Sequence, residues 1–413
     1  MNNAFRKEPD AGKPHVRFLG GAHLVKGAST RPGKKNEKTK NYKRKINSGK
    51  YFHNTLCLRE AKGMNIKMKE KENAFSGLRL IACFCVFALH CYSGKMSLFA
   101  AWAVSLFFMM SGFLYGKRYA KRPLPIRNTF SFVWRKLKKL YPLYLFTTVL
   151  AIPFFVITVG WEQILHQLFP YLLLLQGVLY PYSEALLAAA WFISVIVILY
   201  LLTPLLVNFA KKLDDTIGRK GIVAFCLGCI VLLGIYSKYM YESGAASFWI
   251  YSFALVRIPE YTIAICLGLA AGKQVNSGRK NRKQQELLAD GVILAVFLFV
   301  VVCGFSNKIS QAFWRDVLWI MPNCLLLYFA DKNIGLMAKI LSWKLFVSLG
   351  QMSFETYLFH PVFLLYSTFW NEFWDSKRIW RICCFCLILC LTLLASYLWK
   401  RVQKICEVTR RKV

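Results

Sequence analysis

The sequence predicts an all-α, polytopic membrane protein, and three observations support this prediction. Of the 413 residues, 56% are hydrophobic and 16% are aromatic, which makes the chain more apolar than soluble domains are. Long uncharged runs recur along most of the chain, and many approach the roughly 20 residues that a membrane-crossing helix needs. Much of the net charge of +35 lies between these runs, as is typical of cytoplasmic loops rather than of a nucleic-acid-binding surface. We therefore expect membrane lipids, and no nucleic acid, as partners.

Ten apolar segments are long enough to cross a bilayer. They are residues 77–94, 98–116, 140–159, 188–208, 221–236, 248–271, 286–305, 313–330, 345–366 and 379–400. A further segment, residues 166–180, is short and contains Pro170. If it crossed, the basic loops 211–220 and 273–283 would lie outside the cell, so we expect it to be re-entrant or interfacial. The predicted membrane domain spans residues 74–402, in the cell membrane, with both termini cytoplasmic.

Basic tails flank the predicted membrane domain. Residues 1–73 hold 19 Lys or Arg against 6 Asp or Glu and show no apolar period, so we expect them to be disordered. Met64 and Met68 lie just before the first span, and one interpretation of residues 1–63 is an over-long gene prediction. Residues 403–413 form a second basic tail, which we expect to be cytoplasmic.

The 14 cysteines of the chain lie mostly inside apolar runs. We interpret these as small buried hydrophobic residues. Cys226 and Cys229 have the spacing of a metal-binding pair, but no second pair and no nearby His accompanies them. We therefore expect no metal site.

Two ionisable residues, Arg79 and His90, lie in the first apolar segment. Eleven positions apart on a helix, their side chains share one face and are separated by about 16 Å along the axis. The residues between them on that face are small enough to leave room for a ligand: Ala82, Cys83 and Val86. Ionisable groups inside a membrane are costly, which favours a functional role. The alternative is a snorkelling Arg and a hydrogen-bonded core His.

A second polar stripe lies near the end of the chain. Ser353, Tyr357 and His360 are four and three positions apart, so they share one helical face. Polar side chains inside an apolar segment are expected to face the interior of a helix bundle. This stripe is therefore either part of a functional site or a hydrogen-bonded network that holds two helices together.

Four further residues are candidates for substrate binding or support. Arg257 and Glu260 lie in the sixth span, where they either neutralise each other or line a polar cavity. Ser111 precedes a glycine that permits close approach of the backbone to a ligand or to another helix. Trp191 opens the fourth span, where an interfacial aromatic residue is also expected on general grounds.

A basic cluster precedes the third span. Arg135, Lys136, Lys138 and Lys139 lie beside aromatic residues on the turns that lead into this span. Long cationic side chains at a membrane surface are suited to a phosphate-bearing ligand. The alternative is anchoring to anionic lipid headgroups.

These segments, in this order, resemble the integral-membrane acyltransferase-3 family of cell-surface O-acylating enzymes. The resemblance extends from Phe75 to about Trp399 and includes the Arg-x10-His span of Arg79 and His90. Six segments carry it: GLRLIACFCVFALH, SLFFMMSGFLYGKR, RKLKKLYPLY, AAWFISVIVILYLLTPLL, RIPEYTIAICLGL and LGQMSFETYLFHPVF. No one segment is specific, but all six in the right order point to the family.

The resemblance implies an acyltransferase that transfers groups other than aminoacyl groups. Its donor substrate would be cytoplasmic acyl-CoA, most often acetyl-CoA. The implied acceptor is a hydroxyl of a cell-surface glycan or lipid-linked sugar. His90 and Arg79 would be catalytic, and the basic cluster would hold the donor phosphates. Some family members carry a fused extracytoplasmic domain; we expect none here, so the protein would deliver the acyl group itself or to a separate extracytoplasmic transferase. The alternative is a multi-span transporter or glycan flippase that uses the same buried Arg, His and Glu residues as a substrate or proton path.

The chain departs from the family pattern at three positions. Ser76 stands where an Asp is usual, and Lys136 and Lys139 stand where Arg is usual before the Tyr-Pro pair. Lys keeps the positive charge but loses the bidentate fork of Arg, so the implied phosphate contacts would be less directional.

Overall fold

The computed structural model describes residues 74–91, 97–122, 124–184, 186–273, 281–306, 309, 317–370 and 378–410. Within these ranges the regular structure is helical. The helices are α1 (Ala74–Cys91), α2 (Ser97–Tyr119), α3 (Thr129–Val159), α4 (Trp161–Leu172), α5 (Trp191–Glu242), α6 (Ala254–Lys273), α7 (Arg282–Gly304), α8 (Ile320–Lys332), α9 (Gly335–Leu341), α10 (Lys344–Gly350), α11 (Ser353–Ser367) and α12 (Arg378–Arg410). The predicted tail 1–73 lies outside the described residues, and α12 continues through most of the predicted tail 403–413.

Seven of the described helices are long and apolar enough to cross a membrane: α1, α2, α3, α5, α6, α7 and α12. The prediction of an all-α, polytopic membrane protein is thus confirmed. The predicted span 313–330 overlaps α8, and the predicted span 345–366 is divided between α10 and α11. These shorter helices pack among the long ones, so the bundle is not built from uniform spans.

Helix α5 is a hairpin of two spans. Its 52 residues would extend about 78 Å if straight, more than twice the hydrocarbon thickness of a bilayer. Gly218 breaks the helix with a φ of 63°, a left-handed value that glycine adopts without steric cost. The rings of Phe209 and Phe225 lie 5.7 Å apart, whereas a straight helix would separate them by roughly 24 Å. The two halves therefore run antiparallel and match the predicted spans 188–208 and 221–236.

The apolar segment 166–180 does not form a helix of crossing length. It overlaps α4, whose 12 residues extend only about 18 Å. The hydroxyls of Tyr141 and Tyr144 on α3 donate to the carbonyls of Leu172 and Tyr171, at 2.9 and 2.7 Å. These bonds satisfy carbonyls near the end of α4 and hold it against α3, in agreement with the predicted non-crossing role.

Helices α2 and α6 form a closely packed pair. Gly112 and Gly116 on α2 face α6, and Gly268 and Gly272 on α6 face α2. A Cβ atom at Gly268 would lie 2.1 Å from the carbonyl oxygen of Phe113. This spacing of small residues lets two membrane helices approach at backbone contact. The pair runs parallel, and each helix carries a lysine in its last turn.

One end of the bundle is basic. Lys117, near the end of α2, is ion-paired with Asp331 of α8, and Lys273, at the end of α6, lies 2.6 Å from Asp214 of α5. Helix α1 begins at this end, because Phe75 packs on Phe113 with ring centroids 5.7 Å apart. We call this region the basic end; the last turn of α1 lies at the opposite end.

Candidate active site

A cavity of about 1090 Å³ extends into the bundle between α1, α2, α3, α5 and α11. Its lining carries six cationic side chains and one carboxylate, that of Asp331. The cations are Arg79, Lys117, Arg118, Lys121, Arg122 and Lys136. Charges beside low-dielectric protein act more strongly than charges in water, so this lining attracts anions. We call this space the cationic cavity.

Five predicted site residues line the cationic cavity, and they come from four helices. They are Arg79, Ser111, Lys136, Ser353 and Tyr357. The ring of Tyr200 on α5 also lines the cavity and lies beside Ser111, close enough to Arg79 for an electrostatic interaction. The tertiary fold therefore brings together residues that are up to 278 positions apart in the chain.

Lys136 is held in an aromatic cage. Its ammonium nitrogen lies 5.0 Å from the ring centroid of Tyr115 and 5.7 Å from those of Phe132 and Tyr200. A cation at this distance from a ring is attracted by the negative face of the π system. The cage orients the side chain without consuming its hydrogen-bond donors.

The other three members of the predicted basic cluster lie away from the lining. Arg135, Lys138 and Lys139 are exposed, and the ammonium of Lys138 lies 5.3 Å from the ring centroid of Trp134. Lys136 and Leu140, one helical turn apart, both line the cavity. Only one stripe of α3 faces the cavity, and the other three cations lie off that stripe.

Sequence reasoning missed four of the six cations. Lys117, Arg118, Lys121 and Arg122 lie at the end of α2 and in the turn after it. The dense positive charge after the second span could have identified them, but it was used only to predict the orientation of the chain in the membrane. The amine of Lys211 donates to the carbonyl oxygen of Arg122 at 2.8 Å, which fixes this turn against α5.

The inner part of the cationic cavity is apolar and aromatic. Phe107, Met110, Phe192 and Ile196 line it together with Tyr357. The rings of Tyr357 and Phe192 lie 5.1 Å apart, and the Tyr357 hydroxyl donates to the carbonyl oxygen of Ala189 at 2.8 Å. The Tyr357 ring is thus fixed at the inner end of the cavity.

A pair of histidines lies beyond the Tyr357 ring. The centroids of His90 and His360 are 5.2 Å apart, and the centroid of His360 is 5.6 Å from that of Tyr357. Nδ1 of His360 lies 3.2 Å from the carbonyl oxygen of Thr356. A carbonyl oxygen can only accept, so this nitrogen donates and Nε2 is left as an acceptor. Nε2 is buried and has no hydrogen-bond partner among the described residues. Neither histidine lines the cationic cavity.

The helix face between Arg79 and His90 is filled. Helix α1 is continuous between them, as predicted, but Ala82, Cys83 and Val86 are buried in the core. The thiol of Cys83 donates to the carbonyl oxygen of Ser353 at 3.5 Å. The expectation that these small residues leave room for a ligand is wrong, because all three side chains are covered by protein and Cys83 contacts α11. The cavity lies around Arg79 instead.

Arg257 and Glu260 form a buried ion pair outside the cationic cavity. The charged groups lie 3.3 Å apart, and both side chains are at most 1% exposed. Two guanidinium nitrogens donate to the carbonyl oxygen of Tyr251, and the Ser105 hydroxyl donates to Glu260 at 2.6 Å. The amide of Asn323 on α8 donates to Ser105 at 3.2 Å. This network joins α2, α6 and α8, which supports the self-neutralising interpretation.

Trp191 is also near the site without lining it. Its ring contacts those of Phe108 and Tyr251, at 6.4 and 5.1 Å between centroids. The next residue, Phe192, does line the cavity. Trp191 therefore supports the wall of the cavity from behind.

In the part of the chain that the structure describes, no three His, Cys, Asp or Glu side chains come together as metal ligands. Cys226 and Cys229 lie on the second half of α5, partly buried. The Cys226 side chain lies beside Cys266 of α6.

The fold and the cavity define a multi-pass membrane protein with a strongly cationic interior space. The acyltransferase-3 family model, described as an acyltransferase domain, matches residues 72–399. The chain belongs to this family and is a membrane acyltransferase, which confirms the predicted enzyme class. No curated protein and no solved structure gives a significant match.

Proposed function

We propose that this acyltransferase takes an acyl group, specifically acetyl, from acyl-CoA held in the cationic cavity. The acceptor is a hydroxyl group of a cell-surface glycan or lipid-linked sugar. The observation that carries the proposal is the lining of six cations and one carboxylate around a space of about 1090 Å³. Coenzyme A carries several phosphate charges on one elongated molecule, so its chemistry matches such a lining.

The arrangement of the lining suits the two ends of this donor. Arg and Lys side chains bind phosphate through charge-assisted hydrogen bonds, and four of them surround the basic end of the cavity. The aromatic inner part suits the less polar pantetheine arm and its thioester. The cavity lies at the upper limit of typical ligand pockets, roughly 300–1,000 Å³, as a nucleotide-bearing donor requires. Arg79 would contact the donor at the pantetheine end.

His90 would act as the general base. It takes the proton of the acceptor hydroxyl while the oxygen attacks the thioester carbonyl. The carbon–sulfur bond then breaks, coenzyme A leaves as a thiolate, and the imidazolium returns the proton to the sulfur. The alternative role for His90 is that of a transient nucleophile, which would carry the acyl group before the acceptor attacks.

Two features of the lining constrain this mechanism. The Tyr357 ring lies between the cavity and the histidine pair, so the acyl end of the donor has to pass it to reach His90. The Tyr357 hydroxyl already donates to Ala189, so it is not free to stabilise the developing oxyanion.

The charge distribution supports one direction of transfer. A basic end is typical of the cytoplasmic side, where acyl-CoA is available, so we place both termini there and the enzyme in the cell membrane. His90 lies at the opposite end of α1, on the side from which an extracytoplasmic acceptor or a separate extracytoplasmic transferase would approach.

Release of free thiol from acetyl-CoA by the purified protein tests the proposal. The reaction is followed with and without extracted surface glycan, for the wild type, His90→Ala and His166→Ala. His166 is an exposed histidine of α4 and serves as the matched control. We expect glycan-dependent release in the wild type and in His166→Ala, and its loss in His90→Ala. Release that survives His90→Ala would exclude His90 as the base. No release from any acyl-CoA by folded protein would exclude acyl-CoA as donor.

A further inference from the structure

Asp331 is the one carboxylate among the described residues that line the cationic cavity. It lies in the last turn of α8 and is 8% exposed. A carboxylate is disfavoured at a helix C-terminus, where the helix dipole is negative, and a buried charge requires a partner. The ion pair with Lys117 supplies that partner.

Lys117 belongs to the cluster of four cations at the basic end of the cavity. Its side chain is 27% exposed, so it faces both Asp331 and the cavity space. An anion that enters the cavity therefore competes with Asp331 for the same ammonium group. Such competition weakens the binding of every anion, but a ligand with several negative charges has further cations available to it.

We propose that Asp331 is a specificity-determining residue that occupies Lys117 until a multiply charged anion displaces it. This counter-charge disfavours small singly charged anions at Lys117, whereas ligands with two or more phosphate groups displace it. The inference deepens the proposed function, on which the identity of coenzyme A as the natural ligand rests. The selection itself depends only on the charges of the lining.

The alternative is that Asp331 only fixes α8 against α2. The second ion pair at the basic end provides the matched control for this alternative. Lys273 and Asp214 lie 2.6 Å apart and join α6 to α5, but neither lines the cationic cavity. Neutralising Asp214 removes a structural ion pair of the same kind without changing the charge of the lining.

Isothermal titration of the purified full chain with coenzyme A and with inorganic pyrophosphate tests the proposal. Asp331→Asn should bind both probes about two- to fivefold more tightly, the range expected when an ion pair stops competing. Its affinity should also fall more steeply with added salt. Asp214→Asn should bind both probes with the affinity of the wild type, and Lys117→Gln should bind both more weakly.

The outcomes separate this proposal from the proposed donor. Unchanged or weaker binding of pyrophosphate by folded Asp331→Asn overturns the counter-charge. If Asp331→Asn fails to fold, wild-type affinity in Lys117→Gln overturns it, because Lys117 would then not contact the anion. If the wild type binds pyrophosphate but not coenzyme A, acyl-CoA is rejected as the donor. The role of Asp331 is then decided by comparing pyrophosphate binding in the wild type and in Asp331→Asn. Failure of both probes to bind the wild type or any variant overturns both proposals.

Discussion

The imidazole rings of His90 and His360 lie with their centroids 5.2 Å apart, although 270 positions separate them in the chain. His90 comes from the last turn of α1 and His360 from the middle of α11. The hydrogen bond from Nδ1 of His360 to Thr356 fixes the tautomer, so Nε2 is an acceptor on the ring that neighbours His90. An adjacent acceptor can orient a catalytic imidazole or stabilise its protonated form.

We predict that His360→Asn lowers kcat by about tenfold or more while KM for acyl-CoA changes little. His360 does not line the cationic cavity, so donor binding should be preserved, and the loss should fall on the chemical step. Steady-state thiol release measures both constants, and His166→Asn is the control. A raised KM with unchanged kcat would show that His360 acts on donor binding instead.

Lys136 and Lys138 provide a matched pair on one helix. Lys136→Gln should raise KM for acyl-CoA by about three- to tenfold, because a charged hydrogen bond to phosphate is worth more than a neutral one. Lys138→Gln should leave KM unchanged, since Lys138 is exposed beside Trp134. Equal effects in the two variants would indicate that the cations of α3 act through general surface charge.

The α2–α6 contact should tolerate no side chain larger than hydrogen at Gly268. Gly268→Ala places a methyl group 2.1 Å from the carbonyl oxygen of Phe113, and such overpacking costs about 1–3 kcal/mol in the free energy of unfolding. Gly228→Ala is the control, because nothing lies within 4 Å of its Cβ position. That change should raise the free energy of unfolding by up to about 1 kcal/mol. Thermal unfolding in detergent measures the stability of the two variants. Destabilisation of equal size in Gly268→Ala and Gly228→Ala would contradict the close contact between α2 and α6.

The Arg257–Glu260 pair should be costly to break on one side only. Arg257→Met leaves the Glu260 carboxylate buried without its cation, which costs about 3–5 kcal/mol in the free energy of unfolding. The double variant with Glu260→Leu should recover part of that loss. A double-mutant cycle on unfolding free energies measures the coupling. Additive effects would show that the two charges stabilise the bundle independently.

The membrane architecture could be predicted because hydrophobicity and charge are local properties of the chain. The hairpin of α5 is an example: the basic residues between its halves required a turn at the charged side, and Gly218 provides that turn. The packing of Gly112 and Gly116 against α6 was harder to predict from the sequence. A glycine in a sequence permits close approach but does not identify the partner helix.

Some residues of the candidate site could be predicted one at a time, but the way in which they come together could not. Helical periodicity indicated that Ser353 and Tyr357 face the bundle interior, and both line the cationic cavity. It also indicated a ligand path between Arg79 and His90, but the side chains on that face are buried in the core. Periodicity defines the face on which a residue lies, whereas packing decides what covers that face.

The sequence by itself determined the all-helical membrane fold, the family and some of the residues that line the cavity, because each depends on local composition and spacing. Only the tertiary structure decided which cations share one space, that Asp331 is their counter-charge, and that His90 and His360 meet beyond Tyr357. These relationships depend on distances between helices that are far apart in the chain. Such distances arise when many side chains pack together, and no local pattern records them.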